Sequence, residues 1–242
     1  MTDLWSNLAG DGLEEPVAGR AGLEVHHVAK SFGNRVALLD ASLSVAPGQI
    51  VAVMGPSGSG KSTLLHCAAG VLRPDSGAVR FDGHDLVAAT TTERARARRT
   101  TFGFVFQFGQ LVPELTAVEN VALPLLLNGT PRRFARVTAH EMLTRLGVAD
   151  VADQRPGAMS GGQAQRVAVA RALVTGPRVI FADEPTGSLD SVTGRAVMEQ
   201  FVAGVRQENA AMVLVTHDDE VAEYADRIVT VRDGRTDTPT DA

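Results

Sequence analysis

The chain has 242 residues, 44% of them hydrophobic and 21% charged, which is the composition of an ordinary globular protein and excludes a disordered chain or a fibre. A single cysteine, Cys67, excludes an internal disulfide framework and a thiolate-built zinc site, and points to a reducing compartment. The formal net charge of -5, from 23 Lys+Arg against 28 Asp+Glu, gives no general attraction to nucleic acid or to an anionic membrane surface.

In chain order, residues 1–21 lack periodicity and read as a loose tail, with Trp5 idle in it, and they begin with acidic residues where a secretory signal would be basic and then apolar. Five short runs rich in Val, Ile and Phe follow: IVAVMG, FGFVFQ, RVIFAD, AMVLVTH and RIVTVRDG. Amphipathic stretches at Lys61–Ala69, Arg132–Leu146, Gln163–Val174, Val192–Gln207 and Asp218–Tyr224 alternate with them. Strands alternating with helices predict an α/β fold with a mainly parallel sheet. From Gln107 to about Arg171 no strand pattern occurs, which predicts a helical insertion over about 108–171. Residues 235–242 read as a second tail, leaving one domain over 22–234. The apolar runs Val121–Leu127, interrupted by Pro124, and Ala210–Val215 fall short of the ~20 residues a membrane span needs. The basic run Glu93–Arg99 has no interleaved aromatics and reads as a solvated helix face, so no nucleic-acid partner is expected. His26, His27, His66, His84 and His140 show no metal-ligand spacing.

The first functional signal is Gly55-Pro56-Ser57-Gly58-Ser59-Gly60-Lys61-Ser62-Thr63, set between a strand and an amphipathic helix. Glycines there let backbone N–H groups turn inward, the helix start adds positive dipole, and Lys61 adds a full charge. Such a loop holds the β- and γ-phosphates of a nucleotide, and Ser62 stands where a hydroxyl ligates Mg²⁺. The second signal is RVIFADEP, an apolar strand ending in Asp183 and Glu184. Ligand groups in open α/β sheets collect at such strand ends. Asp183 is expected to hold Mg²⁺, and Glu184 to orient or deprotonate the attacking water. The third is Ser160-Gly161-Gly162-Gln163, a capped helix start whose glycines permit close backbone approach.

With Met159 before it and Ala164-Gln165-Arg166 after it, this last segment resembles the signature of ATP-binding cassette (ABC) proteins. The resemblance covers roughly residues 23–233 and implies a P-loop cassette with a helical subdomain and an N-terminal antiparallel β portion. It further implies that Phe32 stacks on adenine, that Gln107 touches Mg²⁺ and the water and senses the membrane partner, that Gly187–Asp190 meets a second cassette, and that His217 contacts the γ-phosphate. ATP and Mg²⁺ are the implied cofactors. The implied partners are a second cassette in a homodimer and a separate transmembrane permease, with the chain peripheral on the cytoplasmic face of the membrane. The run from Gln107 to Gly129, with ADEPTGSLD later, is most similar to the macrolide-exporter and lipoprotein-release branch, departing from it at Gly109, Gln110, Met159 and Ala164. Three rival readings are weighed against it. A non-transport cassette usually carries paired cassettes, coiled-coil arms or zinc insertions, and none is seen. An unrelated P-loop GTPase or small-molecule kinase has no role for the signature at Ser160, and the guanine motif Asn-Lys-x-Asp is absent. A cassette that binds without hydrolysing would lack Glu184 or His217, and both are present.

Overall fold

The computed structural model describes residues 22–237. The centre is a run of five strands, β3 (Ile50–Met54), β6 (Phe102–Phe106), β7 (Val179–Asp183), β8 (Ala211–Val215) and β9 (Arg227–Arg232), all parallel, in the spatial order β9-β3-β8-β7-β6. These are the five apolar runs read from the sequence. Continuous apolar strands are explained by cover on both faces of a parallel sheet, and side-chain alternation divides them between two cores. Ile50, Ile180, Met212 and Leu214 enter one core with Val167 and Phe201 from the helices α5 (Gly161–Leu173) and α6 (Ser191–Gln207). Val51, Val53, Phe181 and Val213 enter the other with Leu64 and Leu65 of α1 (Lys61–Ala68).

The antiparallel portion is built from β1 (Leu23–Phe32), β2 (Arg35–Val45), β4 (Ser76–Phe81) and β5 (His84–Asp85), which extend the same 10-stranded sheet. β1 is not evident in periodicity because its pairing shifts register between Val25 and Val28, where His27 takes φ +48°. The bulge breaks the period-two pattern that marks a strand. One boundary is corrected. The segment expected to trail from residue 235 begins instead with β10 (Arg235–Asp237), antiparallel to β9 and paired in parallel with β2 at Asp40. This short polar strand joins the parallel and antiparallel portions through backbone hydrogen bonds, so its lack of apolar residues hid it. Residues 1–21, with Trp5, and 238–242 lie outside the described residues.

The insertion is helical as expected: α3 (Ala117–Leu127) and α4 (Arg132–Arg145) pack with α5. α3 runs through Pro124, which the sequence marks as an interruption. A proline within a helix costs about 3 kcal/mol. Against that, Thr116 and Glu119 form a reciprocal cap, Ala117, Val118 and Val121 are buried, and the fully buried Asn120 bonds the Val112, Leu115 and Thr116 carbonyls. The basic run forms α2 (Thr91–Thr100), with only Ala97 buried; Arg96 and Arg99 are exposed as a solvated face requires, whereas Arg94 and Arg98 are half-buried and donate to the Ala89 and Gly70 carbonyls. The expected helix at 218–224 is shorter, α7 (Asp219–Ala222), and no helix among the described residues is long and apolar enough to cross a membrane.

Candidate active site

Strand register assembles the site. Phe106, Asp183, Val215 and Val53 are successive partners across β6, β7, β8 and β3. The residues just beyond them, Gln107, Glu184, Thr216 and Met54, therefore form a row at the carboxyl ends of the strands, where open α/β sheets bind ligands. From Met54 the chain enters the glycine-rich loop. Gly55 has φ +142° and Gly60 φ +112°, and a Cβ at either would strike a backbone carbonyl, Val231 O at 2.1 Å or Ala37 O at 2.5 Å. The loop thus packs too closely on its neighbours to admit side chains there.

A cavity of about 820 Å³ opens over this loop, walled by Gly55–Gly58, Gly60–Thr63, Phe32, Arg35, Glu184 and His217. Lys61 is nearly buried, and its Nζ donates to the carbonyls of Gly55 (2.8 Å) and Pro56 (3.1 Å). Ser62 Oγ donates to Asp183 Oδ1 at 3.3 Å. Burial raises the Asp183 carboxyl above its ordinary range, and the Ser62 hydrogen bond opposes this. Glu184 sits in the left-handed region (φ +49°) with its N–H donated to Val215 O at 2.9 Å. That backbone turns its carboxylate into the cavity, where His217 Nδ1 lies 2.7 Å from Oε1. With Glu184 ionised, the imidazole N–H donates to it.

Phe32 is 49% exposed at the cavity edge, so an unfilled aromatic face borders the phosphate cradle. Lys30 Nζ lies 5.7 Å from its ring centroid and is held by Asp75 at 2.7 Å. Gln107 is placed differently from the other expected groups. Its side chain lies over Gly187, with Nε2 2.8 Å from where a Cβ would stand, and it does not line the cavity. Its carbonyl accepts from Ser188 Oγ at 2.7 Å, so the loop after β6 touches the loop before α6. Asp190 caps α6 by accepting from Thr193 N–H.

Ser160, Gly161, Gly162 and Gln163 lie apart from the cavity. Ser160 and Gln163 cap α5 reciprocally, at 2.9 and 3.2 Å. A Cβ on Gly162 would come within 2.5 Å of Thr193 Cγ2, so this glycine is fixed by the α5–α6 contact itself.

Sequence reading singled out neither Gln165 nor Arg171, although both lie on α5 and hold the loop after β6. The buried Gln165 donates to Phe106 O at 3.0 Å, while Arg171 donates to Gly109 O at 2.7 Å and Gln110 O at 2.8 Å. Burial lowers the pKa of the Arg171 guanidinium. Their partners are backbone carbonyls some sixty residues upstream, as the pairs 165–106 and 171–110 show. No motif records such contacts. Arg35 was likewise missed.

No group of His, Cys, Asp and Glu among the described residues forms a ready metal cage. The donors present suit Mg²⁺ better, since it keeps several waters and is typically bound by one or two protein oxygens together with substrate phosphates. Ser62 and Asp183 supply that converging pair of hard oxygens.

A phosphate-binding loop on a parallel sheet, with carboxylates at the next strand ends, defines a P-loop nucleoside triphosphatase. The family model for ABC transporters matches residues 38–187. The Lipoprotein-releasing system ATP-binding protein LolD 2 of Caulobacter vibrioides is 44% identical over 222 residues, covering 92% of this chain and 97% of the relative. The Macrolide export ATP-binding/permease protein MacB of Syntrophobacter fumaroxidans is 48% identical over 195 residues, 80% of this chain but 27% of the longer relative. Among solved structures, the dimeric ATP-binding cassette MJ0796 in a post-hydrolysis state with ADP and Pi superposes with TM-score 0.81 at 37% identity, covering 89% of this chain and 97% of that one. The chain belongs to the ABC transporter family and is its ATP-hydrolysing cassette.

Proposed function

We propose that the chain powers a separate membrane permease of the lipoprotein-release or macrolide-export type, working as a homodimer on the cytoplasmic face of the membrane. The observation that carries the chemical part is the 2.7 Å Glu184–His217 pair, which faces the phosphate loop across one cavity. Phe32 covers the adenine face, the N–H groups of 57–63 and Lys61 take the β- and γ-phosphates, and Ser62 and Asp183 would hold Mg²⁺. Gln107, whose side chain lies over Gly187, would be a further ligand of that metal and of the water. When bound, Mg²⁺ neutralises charge developing between the β- and γ-oxygens.

Glu184 accepts a proton from water as the water oxygen bonds to the γ-phosphorus. The bond from that phosphorus to the β,γ-bridging oxygen breaks, leaving ADP and phosphate. His217 holds the Glu184 carboxylate in place for the proton transfer and faces the γ-phosphate across the cavity. The Ser160–Gln163 helix start, remote from its own loop, serves the nucleotide on the second cassette, so that two positive helix ends grip one γ-phosphate.

A second cavity supports the permease partner. It holds about 480 Å³ between α2, α3 and β6, with Phe104, Phe106, Leu123, Leu127 and three arginines, Arg98, Arg99 and Arg171, in its walls. It adjoins the loop after Gln107, the stretch most similar to the exporter branch. The relatives, a lipoprotein-releasing system ATP-binding protein and a macrolide export ATP-binding/permease protein, agree with this partner class. Recovering the permease that co-purifies from membranes tests the proposal. An export or lipoprotein-release permease is expected, and a sugar- or amino-acid-importer permease would overturn it.

A further inference from the structure

Arg35 opens β2 opposite Phe32 in the β1–β2 register, with Gly33-Asn34 turning between them. Both residues line the nucleotide cavity. The guanidinium reaches over the phosphate loop, with Nη2 3.6 Å from the place a Cβ on Gly58 would occupy. Gly58 itself has φ +78° and presents open backbone to that guanidinium.

Two features separate Arg35 from an ordinary solvated arginine. Acidic residues outnumber basic ones, 28 to 23, yet among the described residues the Arg35 guanidinium makes no hydrogen bond or ion pair. Most arginines lining the rest of the molecule do: Arg136, Arg145, Arg195 and Arg206, for example, each face a carboxylate. Lys61, the cation inside the loop, is already engaged with the Gly55 and Pro56 carbonyls. The uncommitted charge at the cradle is therefore on Arg35. A planar fork of donors fits phosphate oxygens in paired hydrogen bonds, which a lysine does only as a point charge.

We propose that Arg35 is a further ligand of the nucleotide, contacting its polyphosphate chain from the side opposite α1 while Phe32 covers the base. The hairpin tip would then grip the nucleotide at both ends, through residues paired with one another across one turn. This inference rests on the ATP reading of the cavity.

The test uses the full chain and compares the parent with Arg35→Gln, Arg35→Lys and Lys61→Ala. Affinities are measured for MgADP, for the Mg²⁺ complex of the non-hydrolysable β,γ-imido analogue of ATP, and for adenosine. Charge-assisted hydrogen bonds at an exposed site lead us to expect about tenfold weaker binding of both phosphorylated ligands by Arg35→Gln. Arg35→Lys is expected to recover part of that loss, and adenosine binding to be unchanged. Phosphate-ligand affinity within twofold of the parent in Arg35→Gln overturns the proposal. So does an equal loss for adenosine, which would mean damage at the base side, and so does a defect confined to sedimentation of the ATP-loaded pair, which would place Arg35 against the second cassette. Normal nucleotide affinity in Lys61→Ala would instead break the ATP reading of the cavity.

Discussion

The α/β half and the helical insertion hold their functional residues in opposite ways. In the α/β half, strand register brings the phosphate loop, Glu184 and His217 to one cavity, and two neighbouring carboxylates are under strain: Glu184 at positive φ, and Asp183 with its pKa raised by burial. In the insertion, Ser160–Gln163 is internally satisfied by its reciprocal cap and packed on α6, and it lines no part of that cavity. In the proposed reading one half binds the nucleotide and the other meets a second cassette, so a single chain would carry two half-sites that do not face each other.

The comparison breaks first at Lys61. If the α/β half binds nucleotide by itself, Lys61→Ala should weaken MgATP binding by about 10²-fold or more, because the phosphates lose their buried cation. Equilibrium binding checks this, and unchanged affinity would mean the cradle has been misread. Next comes Glu184→Gln, which keeps shape and removes basicity. A general base contributes about 10²–10⁴-fold, so turnover should fall by that order while MgATP affinity holds or tightens slightly. Sedimentation should then show an ATP-loaded pair that persists. Parental turnover in this variant would shift the base to another group, with His217 the next candidate.

A third variant sharpens the division between the halves. Ser160→Arg removes a helix cap, at a cost of about 1 kcal/mol, and adds bulk at the proposed mating surface. MgADP affinity of the isolated chain should stay within about twofold, whereas ATP-dependent pairing and turnover should be lost. Mixing it with Lys61→Ala should restore activity. The mixed pair has one composite site built from an intact loop and an intact Ser160, so random pairing predicts roughly a quarter of parental turnover. No recovery on mixing would show that the Ser160 segment acts on its own chain's nucleotide.

The two halves also differ in how far they could be read from sequence. Lys61, Ser62, Asp183 and Glu184 were legible because a glycine loop between strand and helix, and carboxylates ending an apolar strand, have few other uses. The helices α4, α5 and α6 were legible through their apolar faces. β1 was hidden by its bulge at His27, β10 by its polar composition, and α3 by Pro124, each a case where tertiary hydrogen bonds and burial override local pattern. Phe32 illustrates the reverse: by itself it reads as a core residue, and the family resemblance placed it on adenine, in keeping with its 49% exposure. Arg35, Gln165 and Arg171 were not legible, since their placement depends on backbone brought close only by the folded sheet.

The smallest effect concerns the stability of the nucleotide-free site, and Asp183 decides its sign. Burial raises this carboxyl above its ordinary value of 3.8, so between that value and the raised one the folded chain binds more protons than the unfolded chain. Stability therefore falls as pH rises through that window, and above it the whole penalty of an ionised, partly buried carboxylate is present. At neutral pH Asp183→Asn removes the charge and keeps the shape, including an oxygen for the Ser62 hydroxyl. The nucleotide-free chain should then melt higher, by about 2–4 °C, since the group is only partly buried and a gain of about 1 kcal/mol is the upper range. Below the ordinary carboxyl value both forms are uncharged and the difference should vanish. The same substitution weakens the proposed Mg²⁺ site, so the rise in melting temperature on adding MgATP should shrink while turnover falls. Melting curves at two pH values, with and without MgATP, separate these effects. A lower melting point for Asp183→Asn without nucleotide at neutral pH would show that the carboxylate is held by stabilising contacts, with the Ser62 hydroxyl and the charge of Lys61 the candidates, and that its burial is not a net penalty.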